Sequence, residues 1–195
     1  MQLANHRTQE SSTSMEEGSE GKWRVLEIRF GLNLVIRNFK VGEKKMVELS
    51  TEGIIDVGTK PIVARRATST GLLHLSEATK QTIIDKNVTK GDVLEASTIA
   101  AIQAAKITPT IVPHCHPIPL ESCKVDWLWE GNCLRCTVSV SAHYRTGVEM
   151  EALTSVCAGL LCAWDMVKSL EKDEDGQYPS VKMTDIVVLE KFKGN

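Results

Sequence analysis

The chain of 195 residues is 42% hydrophobic and 25% charged with a net charge of −2, the composition of a globular protein with core enough for one domain. That balance predicts no general affinity for nucleic acid, and no run approaches the roughly 18 to 20 apolar residues of a membrane span. The N-terminus lacks the basic start, apolar core and cleavage site of a signal peptide, so a cytoplasmic protein is expected.

Residues 1–21, rich in Ser, Glu and Gln, show no periodicity and read as a disordered N-terminal segment. A basic N-terminal extension follows over residues 22–53, with seven Lys and Arg against two Glu between positions 22 and 45. Its apolar residues fit neither the helical nor the strand period. An added strand pair, an unstructured basic arm, and an extension upstream of a natural start at Met46 are the alternatives.

Past Met46, residues 54–57 read as a short extended segment, and Lys60, Arg65 and Arg66 follow in a stretch that Pro61 keeps from starting as helix. Ser76 is placed to cap a helix over 77–86. After the Lys90-Gly91-Asp92 turn, Asp92 can cap an alanine-rich helix over 93–106, which Pro109 should end. Residues 125–129 and 134–142 form a predicted hairpin around Glu130-Gly131-Asn132, followed by a helix over 147–170 and a last strand over 183–189. This order predicts an α+β two-layer sandwich, loosely ferredoxin-like, with an antiparallel sheet carrying long helices on one face. The catalytic domain is expected over 54–191, with a short tail over 192–195.

The six cysteines include Cys133-Leu134-Arg135-Cys136, which has a zinc-site spacing. Strict alternation from Leu134 to Ala142 sends Cys133 and Cys136 to opposite faces of a strand, and Cys157 and Cys162 fall in a helical pattern as small hydrophobes.

Two stretches carry chemistry beyond what folding needs. In Pro113-His114-Cys115-His116-Pro117 the prolines should make a stiff, strand-like loop with both imidazoles on one side, held as general acid–base work or binding requires. The structural alternative is a rigid connector. Thr146-Gly147-Val148-Glu149 matches a capping box, which explains Glu149 but leaves Glu151 in the first helical turn without a structural task. Between Ala152 and Val167 the single charge is Asp165, so this helix should be buried nearly all round, and its small residues invite a second helix from another subunit.

Asp165 and Lys168 could be no more than an i,i+3 ion pair at a helix end. Yet Glu151 and Asp165 lie 14 positions apart, about 21 Å along a helix, so one chain cannot bring both to one small substrate. Packed antiparallel on a two-fold mate, Glu151 of one subunit would meet Asp165 and Lys168 of the other. Lys60, Arg65, Arg66, Lys90, Lys106 and Lys168 supply cations without any P-loop or dinucleotide fingerprint, so phosphate binding would be assembled from scattered side chains.

Taken in order, Lys90-Gly91-Asp92-Val93, residues 99–106, His114-Cys115-His116-Pro117, residues 146–153 and Asp165-Met166-Val167-Lys168 resemble the cyclic pyranopterin monophosphate synthase (molybdenum cofactor biosynthesis protein C, MoaC) family. The resemblance covers about residues 54–191. It implies a lyase that converts 3′,8-cyclo-7,8-dihydro-GTP into cyclic pyranopterin monophosphate and pyrophosphate, needs no redox cofactor, and leaves open whether Mg²⁺ accompanies the triphosphate. It further implies catalytic Asp165, Lys168 and Lys90, with substrate contacts from His114, Cys115, His116, Met150, Glu151, Glu149 and Arg65. A homohexamer built as a trimer of dimers, with sites at the dimer interface, is the implied assembly.

Three departures bear on activity: Thr98 stands where an arginine is common, Ile107 where the family usually has arginine, and the tail is shortened to residues 190–195. Arg66, which replaces a residue often acidic, would compensate in part. The rivals are a non-catalytic nucleotide- or pterin-binding module on the same fold, and a zinc protein using His114 and His116.

Overall fold

The structure is a computed structural model that describes residues 53–195 and, as backbone, residues 13–18 and 21–26. The chain divides into two compact units, residues 1–51 and 52–195. In the first, β1 (Thr13–Gly18) pairs antiparallel with β2 (Gly21–Leu26), Thr13 opposite Leu26 and Gly18 opposite Gly21. β1 lies within residues 1–21, read from the sequence as a disordered segment, and β2 spans the boundary with the basic extension. The rest of that reading, and the question of Met46 as a start, lie outside the described residues.

The second unit runs β3 (Val63–His74), α1 (Glu77–Ile84), α2 (Val93–Ile111), β4 (Ser122–Glu130), β5 (Cys133–Tyr144), α3 (Glu149–Val167), a 3₁₀ turn (Lys168–Leu170) and β6 (Lys182–Lys193). Its four strands form one antiparallel sheet in the order β4-β5-β3-β6. The helices cover one face, which gives the expected α+β two-layer sandwich. Ala67, Ser69, Gly71 and Leu73 on β3 lie opposite Val140, Val138, Cys136 and Leu134 on β5, and all eight are buried. That is the helix-covered face. On the other, hydroxyls pair across the strands, Thr68 with Ser139 and Thr70 with Thr137. Cys133 lies on this open face beside His74 while Cys136 is in the core, as strand alternation requires.

Close packing of α3 on β3 depends on Gly71, where a Cβ would meet Val156 at 2.8 Å and Leu160 at 2.9 Å. Val156 and Leu160 have no exposed surface, and each such side chain contributes about 1.5–3 kcal/mol through removal from water. By length and composition the helical run from Glu149 to Leu170 could cross a membrane, but half of its most apolar stretch is buried in the core. Burial is not complete all round, however: Leu161 is 60% exposed, and with Met150 and Asp165 it forms an outer stripe on α3.

The caps fall where side-chain chemistry placed them. Ser76 accepts from the Thr79 amide and Asp92 from the Glu95 amide. Pro109 does not end α2, which continues to Ile111. A proline has no amide to give to the carbonyl of Ala105, and the hydroxyl of Thr108 supplies a donor instead, reaching Ala104 O at 3.0 Å and Ala105 O at 3.2 Å. The expected capping box is also absent: Val148 takes the N-cap position, and no side chain caps α3.

Candidate active site

Because α2 and α3 lie antiparallel, the turn that precedes α2 meets the end of α3, and the loop that follows α2 meets its start. The first contact is Lys90 with Asp165, and the second brings Cys115 into the electrostatic reach of Glu151. The groups expected to do chemistry are thereby sorted into two clusters at opposite ends of one helix.

At the start of α3 a cleft of about 590 Å³ is lined by His114, Cys115, His116, Glu149, Met150 and Glu151, together with Ile55, Lys60 and Lys191. Cys115 N–H donates to Val112 O at 3.0 Å, so Pro113 and His114 form the middle of a tight turn. The expected strand-like loop is thus a turn at Pro113 and His114. Both imidazoles nevertheless face one target, the carbonyls of Gly53 and Ile55, at 2.7 and 2.8 Å.

Glu151 is 3% exposed. Burial pushes its carboxyl above the usual range and the neighbouring charge of Glu149 adds to this, against a smaller opposing effect of its own amide. The Cys115 thiol is raised too, first by burial and then by Glu151. Glu149 turns back over Gly147, where any side chain would collide with its carboxylate, and it pairs with Lys191 on β6 at 3.3 Å. Arg65 braces the approach to the helix, donating to Tyr144 O at 3.3 Å and Arg145 O at 3.1 Å.

At the far end, Asp165 Oδ1 accepts from Lys168 Nζ at 2.6 Å, and Oδ2 from Lys90 Nζ at 2.7 Å. Lys90 also donates to the Asp165 carbonyl at 2.8 Å, closing one of the unpaired carbonyls of the last helical turn. The Lys168 hydrogen bond, then that of Lys90, holds the Asp165 carboxyl down at about 2, and Asp165 in turn raises Lys168. All three side chains are about half exposed, so this is a charged surface triad open to a ligand.

The sequence-predicted set is thus present but divided: Lys90, Asp165 and Lys168 at one end, His114, Cys115, His116, Glu149, Met150 and Glu151 at the other, with Arg65 behind the second. Lys191 was missed as a site residue because only the β6 register, which sets it opposite Ala67, carries it to the cleft. Thr98, which stands where an arginine is common, has a local task here, accepting from Trp127 Nε1 at 2.9 Å and donating to Leu94 O at 2.7 Å. Ile107 is exposed. Among the described residues of one chain, no three His, Cys, Asp or Glu side chains come together as a metal centre would require.

Residues 54–194 match the model of the MoaC family. A protein of Sulfurisphaera tokodaii named probable cyclic pyranopterin monophosphate synthase is 49% identical over 140 residues, which is 72% of this chain and 93% of that protein. One of Thermococcus kodakarensis with the same name is 43% identical over 153 residues, 77% of this chain and 98% of the relative. A third, from Methanothermobacter thermautotrophicus, is named probable cyclic pyranopterin monophosphate synthase accessory protein and is 42% identical over 160 residues, 82% and 98% of the two chains.

Proposed function

The chain belongs to the MoaC family, and from that premise we propose that it is a cyclic pyranopterin monophosphate synthase, turning 3′,8-cyclo-7,8-dihydro-GTP into cyclic pyranopterin monophosphate and pyrophosphate. The observation that carries the reading is the division of the charged residues between the two ends of α3, neither cluster holding both the buried acid and the ammonium pair. An exposed Leu161 between them suits a two-fold mate. Antiparallel packing on that mate joins Glu151 of one protomer to Lys90, Asp165 and Lys168 of the other, twice per dimer, and three such dimers make the hexamer.

The two carboxylates have been driven apart by their surroundings, the usual sign of divided roles. Glu151, raised by burial, holds a proton more readily and suits proton transfer during opening and rearrangement of the purine-derived ring. Asp165 stays ionised, favours the charged form of Lys168, and aims both lysine side chains. When the triphosphate enters, Lys90 and Lys168 offer donors to its oxygens while the α-phosphate is attacked intramolecularly and pyrophosphate departs. Arg65, with guanidinium N–H groups beyond those bound to the two carbonyls, adds to that field. No redox cofactor enters this account, and any Mg²⁺ arrives with the triphosphate as part of the substrate.

Release of pyrophosphate from the cyclic dihydro-GTP is the decisive assay. A stoichiometric burst of pyrophosphate with a cyclic phosphate product supports the reading, and tight binding without turnover would replace it with a non-catalytic pterin-binding role, to which Thr98 and Ile107 lend the most weight.

A further inference from the structure

Residues 53–60, of which Ile55, Val57 and Lys60 line the cleft, form a strap that belongs to no helix or strand. Its internal hydrogen bonds are local: the Gly58 amide donates to Asp56 Oδ1 at 2.7 Å and the Lys60 amide to Val57 O at 3.0 Å. Ile54 and Ile55 are 52% and 63% exposed, and Val57 alone is anchored in the core. Among the described residues, the hydrogen bonds that tie residues 53–59 to the rest of the unit are two, His114 Nδ1 to Gly53 O at 2.7 Å and His116 Nε2 to Ile55 O at 2.8 Å.

A carbonyl can only accept, so each bond fixes a tautomer, with the proton on Nδ1 of His114 and on Nε2 of His116. The chain bends at Ile54, between the two gripped carbonyls. The gripping loop is itself stiff, being closed by the Cys115 to Val112 turn and bounded by Pro113 and Pro117.

We infer that His114 and His116 are positioning residues that latch the strap over the cleft and so place Lys60 in its wall. The imidazoles act through the strap, and substrate meets Lys60 in a geometry that they set. This goes beyond the catalytic reading above and depends on it only where activity is the readout.

The two tautomers make the test specific, because an asparagine amide reaches about as far as Nδ1 and a glutamine amide about as far as Nε2. Hydrogen exchange at the Gly58 and Lys60 amides is followed by mass spectrometry in the full chain. Loss of one latch should speed exchange about fivefold and loss of both, in H114A/H116A, roughly 30-fold. H114N/H116Q should restore protection, whereas the exchanged pair H114Q/H116N should not. In the pyrophosphate assay H114A/H116A should raise KM roughly tenfold with a smaller change in kcat, and H114N/H116Q should rescue KM. Unchanged exchange in the alanine pair overturns the latch. So does a collapse of kcat in H114N/H116Q with the strap still protected, since the imidazoles would then serve the chemistry directly. A wild-type protein without turnover would defeat the catalytic reading and leave the exchange result standing.

Discussion

Lys90 holds Asp165 at two points, the carboxylate at 2.7 Å and the main-chain carbonyl at 2.8 Å. One ammonium thus closes the end of α3 and adds to the hold of Lys168 on its last carboxylate. Lys168 completes the clamp from the other oxygen.

Asp165→Asn should therefore lower turnover by roughly 100-fold, because neither lysine keeps a charged partner to aim it, while the melting temperature at pH 7 stays near that of the parent. The carboxylate is solvent-exposed, and screening leaves little stability in such pairs. The sign can be checked with acid. The folded group is held at about 2 against an ordinary value of 3.8, so whatever stability the clamp contributes is complete above about pH 4 and vanishes as pH falls through 2. Thermal melts of the two proteins across that window should converge at the acid end.

Glu151→Gln should show the opposite trend. Burial raises this carboxyl in the folded state, so the protonated form is favoured there, and stability is lost as pH rises from the ordinary value of 4.5 through the folded one. A neutral amide of the same shape escapes that penalty. The variant should melt above the parent at pH 7 to 8, match it near pH 4, and turn over at least about 100-fold more slowly. A variant that is less stable at every pH would mean that Glu151 makes a hydrogen bond the folded chain needs.

Equal amounts of Glu151→Ala and Asp165→Ala protein, each inactive alone, should recover activity after subunit exchange. Random pairing gives mixed dimers in about half of the molecules, and each restores one of its two sites, so about a quarter of parental activity is expected. Exchange is verified by mass spectrometry of differently tagged chains. Absence of recovery after full exchange would place both residues in the service of separate sites.

Gly71→Ala tests the packing that sets the helix against the sheet. Its Cβ would arrive within 2.9 Å of both Val156 and Leu160, which have no exposed surface and so nowhere to move, and 3.1 Å from Ile186. A loss of about 1–3 kcal/mol by denaturant titration is expected. Since α3 carries both half-sites, turnover should fall further than stability accounts for.

Much of the helical layer could be read from residues that act locally. Ser76 and Asp92 cap because their oxygens reach amides three positions on, and the β4–β5 hairpin followed from alternation about Gly131. The central strand β3 could not be read so. Ala67, Ser69 and Gly71 are small because α3 lies close above them, and a strand chosen for closeness has no apolar alternation to detect. Glu149 looked like half of a capping box, but Lys191, distant in sequence, draws it away. The separation of Glu151 from Asp165 was legible from helix rise alone, whereas the partnership of the histidines with residues 53 and 55 depends on a crossing of chain segments that no local pattern encodes.

The hydroxyl of Thr108 has a reach beyond its own helix. By standing in for the amide that Pro109 lacks, it lets α2 run on to Ile111 and not stop at residue 108, roughly 4.5 Å farther at the rise of a helix. The turn that carries His114 and leads on to His116 starts from that added length. A threonine sealed in the interior and outside the cleft lining thus acts as the spacer that decides where the histidine clasp can close.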